Sequence, residues 1–276
     1  MAGADPAKAD TGAVVAGAVG RLLAGAKRAA KPCSHSSLAA GLAADLEAAV
    51  WPGLRGILLN SVGSAAQVQS ACERIAELEG ARGLPKSYLQ LVVVVGSAAG
   101  VWNVRAIVSA SERISQVFID EVALAADLDI TPLPDLDPFV YARGRVIVEA
   151  IAAKVMPVGI AYPLSVQTDS ASSEAIHAMA LKGKNLGLKG VLCPEPSWVA
   201  PVNAAFTPTP ELVTYNKRVR EAFAAGVAAG TAAVPLDGRM IDVPVDEWAI
   251  VVLETAEACA KRDAEKAAAL SAGRSD

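Results

Sequence analysis

The run Gly96-Ser97-Ala98-Ala99-Gly100 follows a β-branched stretch and opens a helical one, so its backbone N–H groups could hold a phosphate or a carboxylate. It is neither G-x-G-x-x-G nor G-x-x-x-x-G-K-[ST], and the plainer reading is a tight βα turn. Four acids, Asp127, Asp129, Asp135 and Asp137, lie close enough in sequence to suggest oxygen ligands for a cation. A solvated loop whose last Asp caps the next helix explains them more simply. Lys182, Lys184 and Lys189 could meet phosphates, although a solvated helix face is the commoner meaning of such a string. The two histidines, His35 and His177, are more often satisfied or surface groups than proton carriers.

The elements that must position these groups belong to one class of fold. The chain has 276 residues, of which 53% are hydrophobic but only 4% aromatic. Its apolar content is therefore mainly Ala, Val, Ile and Leu, a mix suited to buried parallel strands under Ala-rich helices. From Gly56 onward short β-branched runs alternate with longer helical patterns, which predicts βα units. Strands are expected at Gly56–Leu59, Leu89–Val95, Gln116–Ile119, Pro157–Ala161 and Gly190–Cys193. Ser64 is expected to cap a helix running to Gly80, and Asp137-Pro138 to start one that continues through Lys154. A further helix carries His177 and Met179 and ends near Gly187.

Beyond the fifth strand the pattern changes. Thr209-Pro210-Glu211 reads as a helix start, with Leu212, Val219, Phe223 and Val227 on one face. Asp237-Gly238 reads as a tight turn between Ala232–Leu236 and Met240–Val243. A last helix from about Asp246 to Leu270 is apolar along Trp248, Val252 and Ala256.

Several function classes are disfavoured at this point. A net charge of −4 without a dense basic stretch argues against nucleic acid as a partner. No apolar run approaches the roughly 18 residues needed to cross a bilayer, so no membrane partner is expected. Ala13–Ala30 lacks a basic region ahead of it and is broken by Arg21, Lys27 and Arg28, which does not read as a secretory signal. A cytoplasmic protein is the expectation. Cys33, Cys72, Cys193 and Cys259 are scattered, which suggests neither a zinc site nor a disulfide framework.

Longer stretches carry a resemblance. Ala43-Ala44-Asp45-Leu46 through Trp51-Pro52-Gly53-Leu54-Arg55-Gly56-Ile57-Leu58-Leu59, Ser97-Ala98-Ala99-Gly100-Val101, Ala125-Ala126-Asp127-Leu128, Val191-Leu192-Cys193-Pro194-Glu195-Pro196-Ser197, Phe206-Thr207-Pro208 and Gly238-Arg239-Met240-Ile241-Asp242 resemble motifs of the citrate lyase beta-subunit-like branch of the HpcH/HpaI aldolase superfamily. The resemblance spans roughly Leu38 to Asp263. It implies a TIM-type (β/α) barrel with a C-terminal lid of helix, hairpin and helix. It further implies Mg2+-dependent carbon–carbon bond chemistry on a CoA thioester such as citramalyl-CoA or malyl-CoA, or on a small organic acid.

The implied layout is an N-terminal helical segment at 1–37, the barrel at 38–206 and the lid at 207–276. Because Ala13–Ala30 reads mainly as helix, only Ala29–Ser34 could stand for the third strand, and the barrel is expected to lack its first two. Sheet edges left open in that way favour pairing, so a homo-oligomer is expected.

The same register assigns roles residue by residue. Asp242 falls on the lid aspartate that moves a proton during bond cleavage. Gly96, Ser97 and Glu195 fall at the substrate, with Glu195 where the family has His. The two metal-ligand positions fall on Gly96 and Ala123, neither of which offers an oxygen side chain, and Asp120 and Glu121 are the nearby substitutes. In the family a metal and an Arg polarise the substrate oxygens, and no Arg corresponds here. Two readings follow: a carbon–carbon lyase with a substitute metal site and impaired activity, or a non-catalytic paralogue that binds an acyl-thioester or associates with active homologues.

Overall fold

The computed structural model describes residues 38–131, 133, 136–159, 172–193 and 196–272. The expected helix at Ala13–Ala30, the strand at Ala29–Ser34, Cys33, His35, Asp135 and Glu195 lie outside the described residues. Two compact units occur, one reaching Val202 and the other starting at Asn203.

The first unit is built of βα repeats. In chain order it contains α1 (Leu38–Ala49), β1 (Gly56–Leu59), α2 (Ala65–Ala81), β2 (Gln90–Val95), α3 (Ala98–Trp102), α4 (Val104–Val108), β3 (Ile114–Ile119), α5 (Glu121–Asp127), α6 (Val140–Ala152), β4 (Met156–Val158) and α7 (Ser173–Leu186). The four strands pair in parallel in the order β1-β2-β3-β4. Among the described residues the sheet is an open run of four strands, and the expected α/β class with a parallel sheet is observed.

Strand limits shift for local reasons. β3 starts two residues earlier than expected because a register irregularity between Leu91 and Val92 lets Ile114 pair with Leu91. β4 starts at Met156, and residues from Ile160 onward lie outside the described set. The expected strand at Gly190–Cys193 shrinks to one parallel bridge, Val158 to Gly190, flanked by Gly159 N donating to Gly190 O and Lys189 N donating to Pro157 O. Pro194 follows at once in the sequence, and a residue without an N–H cannot extend a ladder.

Helix starts follow side-chain chemistry. Ser64 and Gln67 form a reciprocal capping box on α2, with Ser64 Oγ accepting from Gln67 N and Gln67 Oε1 accepting from Ser64 N. Gly187 ends α7 with φ at 109°, a conformation only glycine takes freely. α6 begins at Val140, three residues after Asp137 and two after Pro138. Asp137 still accepts from Phe139 N at 3.1 Å, but its carboxylate is drawn to Arg143, so the helix proper starts later than a simple Asp-Pro cap predicts.

One face of the sheet is covered by helices. Ile57, Leu59, Leu91, Val93, Val95, Val117 and Ile119 share a single core with Val68 and Ile75 of α2, Val104 and Ile107 of α4, and Phe139 and Val146 around α6. Alternate strand residues reach the same layer, as the period of two requires. At the N-terminal ends of the strands a buried ion pair closes this core. Arg113 Nη2 lies 2.6 Å from Glu79 Oε2, Arg113 Nη1 donates to Glu79 Oε1 and Leu89 O, and Leu89 N donates to Glu79 Oε1. Burial alone works against the Glu79 charge, yet the Arg113 guanidinium and the Leu89 amide hold its carboxyl below the usual range.

The second unit begins within α8 (Val199–Phe206) and goes on through α9 (Pro210–Ala228), a hairpin of β5 (Val234–Leu236) and β6 (Arg239–Ile241), and α10 (Val243–Ala272). Helix, hairpin and helix occur in the expected order. Thr209 Oγ1 caps α9 by accepting from Leu212 N. Asp237 and Gly238 turn the hairpin with φ values of 50° and 74°, both in the left-handed region that a two-residue primed turn needs. Arg218 clamps the turn through two hydrogen bonds of 2.8 Å to Asp237.

Two phase assignments are corrected. Val219, Ile241 and Ala249 form the core of this unit, with Phe223 against it, but Val227 and Trp248 are exposed. Gly226 faces Val234 so closely that no Cβ fits, and this approach turns the neighbouring Val227 outward. On α10 the buried residues are Asp246, Ala249 and Val252, which leaves Trp248 on the outer side.

Candidate functional site

Functional groups in a parallel sheet gather at the C-terminal ends of its strands. The structure brings three of the sequence candidates together there. Asp120 N donates to Val95 O at 2.8 Å, which ties the end of β3 to the end of β2 and places Gly96 beside Asp120 and Ala123. A Cβ at Gly96 would stand 2.8 Å from Ala123 Cβ and 3.2 Å from Asp120 Cβ. The two positions that the family resemblance gives to metal-binding carboxylates are thus direct neighbours. The space between them is closed by backbone-fixed atoms.

The oxygens nearby have other work. Asp120 Oδ1 accepts from Val122 N and Ala123 N, both at 3.0 Å, and caps α5. Glu121 turns away into the core, where its Oε1 accepts from Arg143 Nε at 2.7 Å. Arg143 also holds Asp137 at 2.9 Å, so two carboxylates share one guanidinium. Ser97 Oγ accepts from Gly100 N and caps α3. Ala98 N donates to Asp127 Oδ2 at 2.7 Å, so an internal carboxylate already satisfies the first amide of α3 within the Gly96–Gly100 run. Gly100 sits against Val62 O, 2.7 Å from where its Cβ would be, which explains the glycine as a packing requirement. Of the acidic run, Asp127 accepts from the distant Ala98 amide and Asp137 from the nearby Phe139 amide. No group of three or more His, Cys, Asp or Glu is placed to hold a metal among the described residues.

The Glu121–Arg143–Asp137 cluster has one more carboxylate than guanidinium. Burial pushes the Glu121 carboxyl up to about 7 against the opposing pull of Arg143, and its Oε2 is buried without a partner. Asp137 keeps its charge more readily: although burial opposes it, hydrogen bonds from Arg143 and the Phe139 amide hold it below the usual range. Folding therefore binds a proton at Glu121 that the unfolded chain releases near pH 4.5. Stability from this group is fully present below that value and is lost as pH rises towards about 7. Comparing urea midpoints at pH 5 and pH 8, wild type is expected to lose more stability than Glu121→Gln, by about 2–3 kcal/mol. Equal pH dependence in the two proteins would show that Glu121 is ionised in the fold throughout.

Each remaining candidate has its own local surroundings. Asp242 is in the second unit, half-buried, with Oδ1 accepting from Val245 N at 3.3 Å at the start of α10. Glu195 lies outside the described residues. His177 Nδ1 is 3.2 Å from Pro201 O and is satisfied by a backbone carbonyl. Cys193 is buried, and burial raises its thiol to about 11, an inert side chain. The Arg143 cluster was missed in the sequence because its members are 6 and 22 residues apart. Its one available signal was an arginine on the otherwise apolar face Ala142, Val146, Ala150.

Comparison with known proteins gives consistent results. The family model described as HpcH/HpaI aldolase/citrate lyase matches residues 5–196. An L-malyl-CoA/beta-methylmalyl-CoA lyase of Rhodobacter capsulatus is 25% identical over 218 residues, covering 73% of this chain and 67% of the relative. A citrate lyase subunit beta-like protein of Deinococcus radiodurans is 28% identical over 239 residues, covering 80% of each. A citrate lyase of Burkholderia xenovorans superposes with a TM-score of 0.66 at 15% identity, covering 82% of this chain and 70% of that one. The CitE protein of Mycobacterium tuberculosis, solved with magnesium, acetoacetate and coenzyme A, gives a TM-score of 0.56 at 19% identity over 82% of this chain and 87% of that one.

Proposed function

The chain belongs to the HpcH/HpaI aldolase/citrate lyase family, and from that premise we propose that it is a non-catalytic member, one that binds an acyl-thioester or associates with active homologues and has lost metal-dependent carbon–carbon cleavage. The observation that carries this reading is the contact between Gly96 and Ala123. Both positions lack oxygen ligands, and the 2.8 Å approach leaves no room for a carboxylate side chain to start from Gly96.

The residues at this end of the sheet do not fit a divalent cation. Mg2+ needs near-octahedral oxygen coordination and is usually anchored by one or two carboxylates. Asp120 offers one oxygen beyond its helix cap, while Glu121 is paired with Arg143 in the core. Without a Lewis acid, the negative charge that develops on an enolate oxygen has no compensating partner. Removing one stabiliser of that kind lowers turnover by about two to three orders of magnitude.

The test is direct. Purified protein with excess Mg2+ is expected to leave malyl-CoA and citramalyl-CoA uncleaved, and titration calorimetry with Mg2+ alone is expected to give millimolar or weaker affinity. A stoichiometric, tightly held Mg2+ or Mn2+ together with turnover would overturn the proposal.

A second reading, a lyase with a substitute site, is favoured by Asp242, which keeps the motif Gly238-Arg239-Met240-Ile241-Asp242. The two readings part on one variant. If Asp242 is a proton carrier, Asp242→Asn lowers turnover by about two orders of magnitude or more. If it serves only as a helix cap, the change is silent in any CoA-ester assay and costs about 1 kcal/mol or less of stability. The silent outcome is expected.

A further inference from the structure

Helix α6 lies on the core through Ala142, Val146 and Ala150. Its opposite side should be charged if it faced water alone. Instead it presents Tyr141, Gly144, Val148 and Ile151, with Tyr141, Val148 and Ile151 exposed to 65%, 66% and 50%. Trp102, exposed to 69%, extends the same surface from the end of α3. The one charge on it is Arg145, and its guanidinium is taken up within the chain. Its Nε donates to Val101 O at 3.1 Å and its Nη2 to Trp102 O at 3.0 Å, while the group lies over the Trp102 ring at 5.2 Å and reaches Tyr141 Oη.

Gly144 is a second, independent sign. A Cβ there would meet nothing within 4 Å, and its φ is ordinary. Glycine in mid-helix costs about 1 kcal/mol relative to alanine, so the protomer alone gives no reason for it. Close approach of another backbone does.

We propose that this face of α6, with Trp102, is a self-association surface that takes a second copy of this chain. Charge and area favour that occupant. The Arg145 guanidinium keeps its charge but is hydrogen-bonded to the chain's own carbonyls, and Glu149 is paired with Arg105 at 2.7 Å, so the apolar residues between them are matched by another apolar face such as their own. The two exposed aromatics present roughly 300 Å2, and with the aliphatic residues the patch reaches roughly 500 Å2, at the top of what a monomer leaves bare. Two such faces bury about 1,000 Å2, the lower limit for a specific interface.

The experiment is sedimentation of the full chain at about 10 μM without ligand, so that its outcome is separate from any question of metal or thioester. Wild type is expected to be oligomeric. Val148→Glu and Tyr141→Glu should each lower the assembly to fewer protomers, weakening association at least about 30-fold, with far-UV dichroism unchanged. Gly144→Ala should weaken association as well, while leaving the thermal midpoint of the Val148→Glu protomer equal or higher. A monomeric wild type would overturn the proposal, as would an assembly untouched by both glutamate variants. So would a monomer that Val148→Glu destabilises, since that points to the chain's own residues covering the face.

Discussion

Arg113→Met is expected to cost the fold about 3–5 kcal/mol, because it leaves Glu79 buried and charged without its counter-ion. Urea denaturation of the two proteins at pH 7 measures the difference. Glu79→Met should cost a similar amount, since it strands both the guanidinium and the Leu89 amide. The double variant Glu79→Met, Arg113→Met should be less destabilised than the sum of the two, because both charges leave together. Recovery stays incomplete, for Leu89 N and Leu89 O each lose a partner. Additive single effects would mean that the pair is hydrated and contributes little.

A second loss of stability is expected at Gly96. Gly96→Glu should destabilise the protein by about 1–3 kcal/mol through overpacking and should not confer tight Mg2+ binding. The cause is specific: the new Cβ meets Ala123 Cβ, an atom fixed by its own backbone that cannot swing aside. Ala123→Gly introduced beside Gly96→Glu should therefore recover part of the loss. A Gly96→Glu protein as stable as wild type, with stoichiometric Mg2+ seen by calorimetry, would contradict both the packing argument and the proposed loss of chemistry.

What the sequence revealed depended on distance along the chain. Ser64 with Gln67, Thr209 with Pro210, and Asp237 with Gly238 act on amides within a few residues, and each forms the cap or turn expected of it. Strand limits were less legible, since the register irregularity at Leu91 and Val92 depends on a partner strand more than twenty residues away. The phase of a helix is also set from outside. Trp248 and Val227 suit an apolar stripe by type and spacing, but the approach of β5 to Gly226 and the packing of Ala249 rotate both towards solvent.

At the candidate site, motif register indicated that Gly96 and Ala123 occupy related positions, and they are in contact. It could not indicate that Glu121 would turn inward to Arg143, because that outcome is decided by where α6 packs, whereas the cap made by Asp120 acts on amides only two and three residues away.

The buried pair of Arg113 and Glu79 bears on how such a chain can diverge. It ties together α2, the entry to β2 and the entry to β3 at the end of the sheet remote from Gly96 and Asp120. Much of the polar free energy that fixes strand positions is therefore stored where no substrate would approach. Substitutions at the opposite end can then accumulate with little loss of foldability, so a lineage can shed its chemistry one side chain at a time and still inherit the scaffold intact.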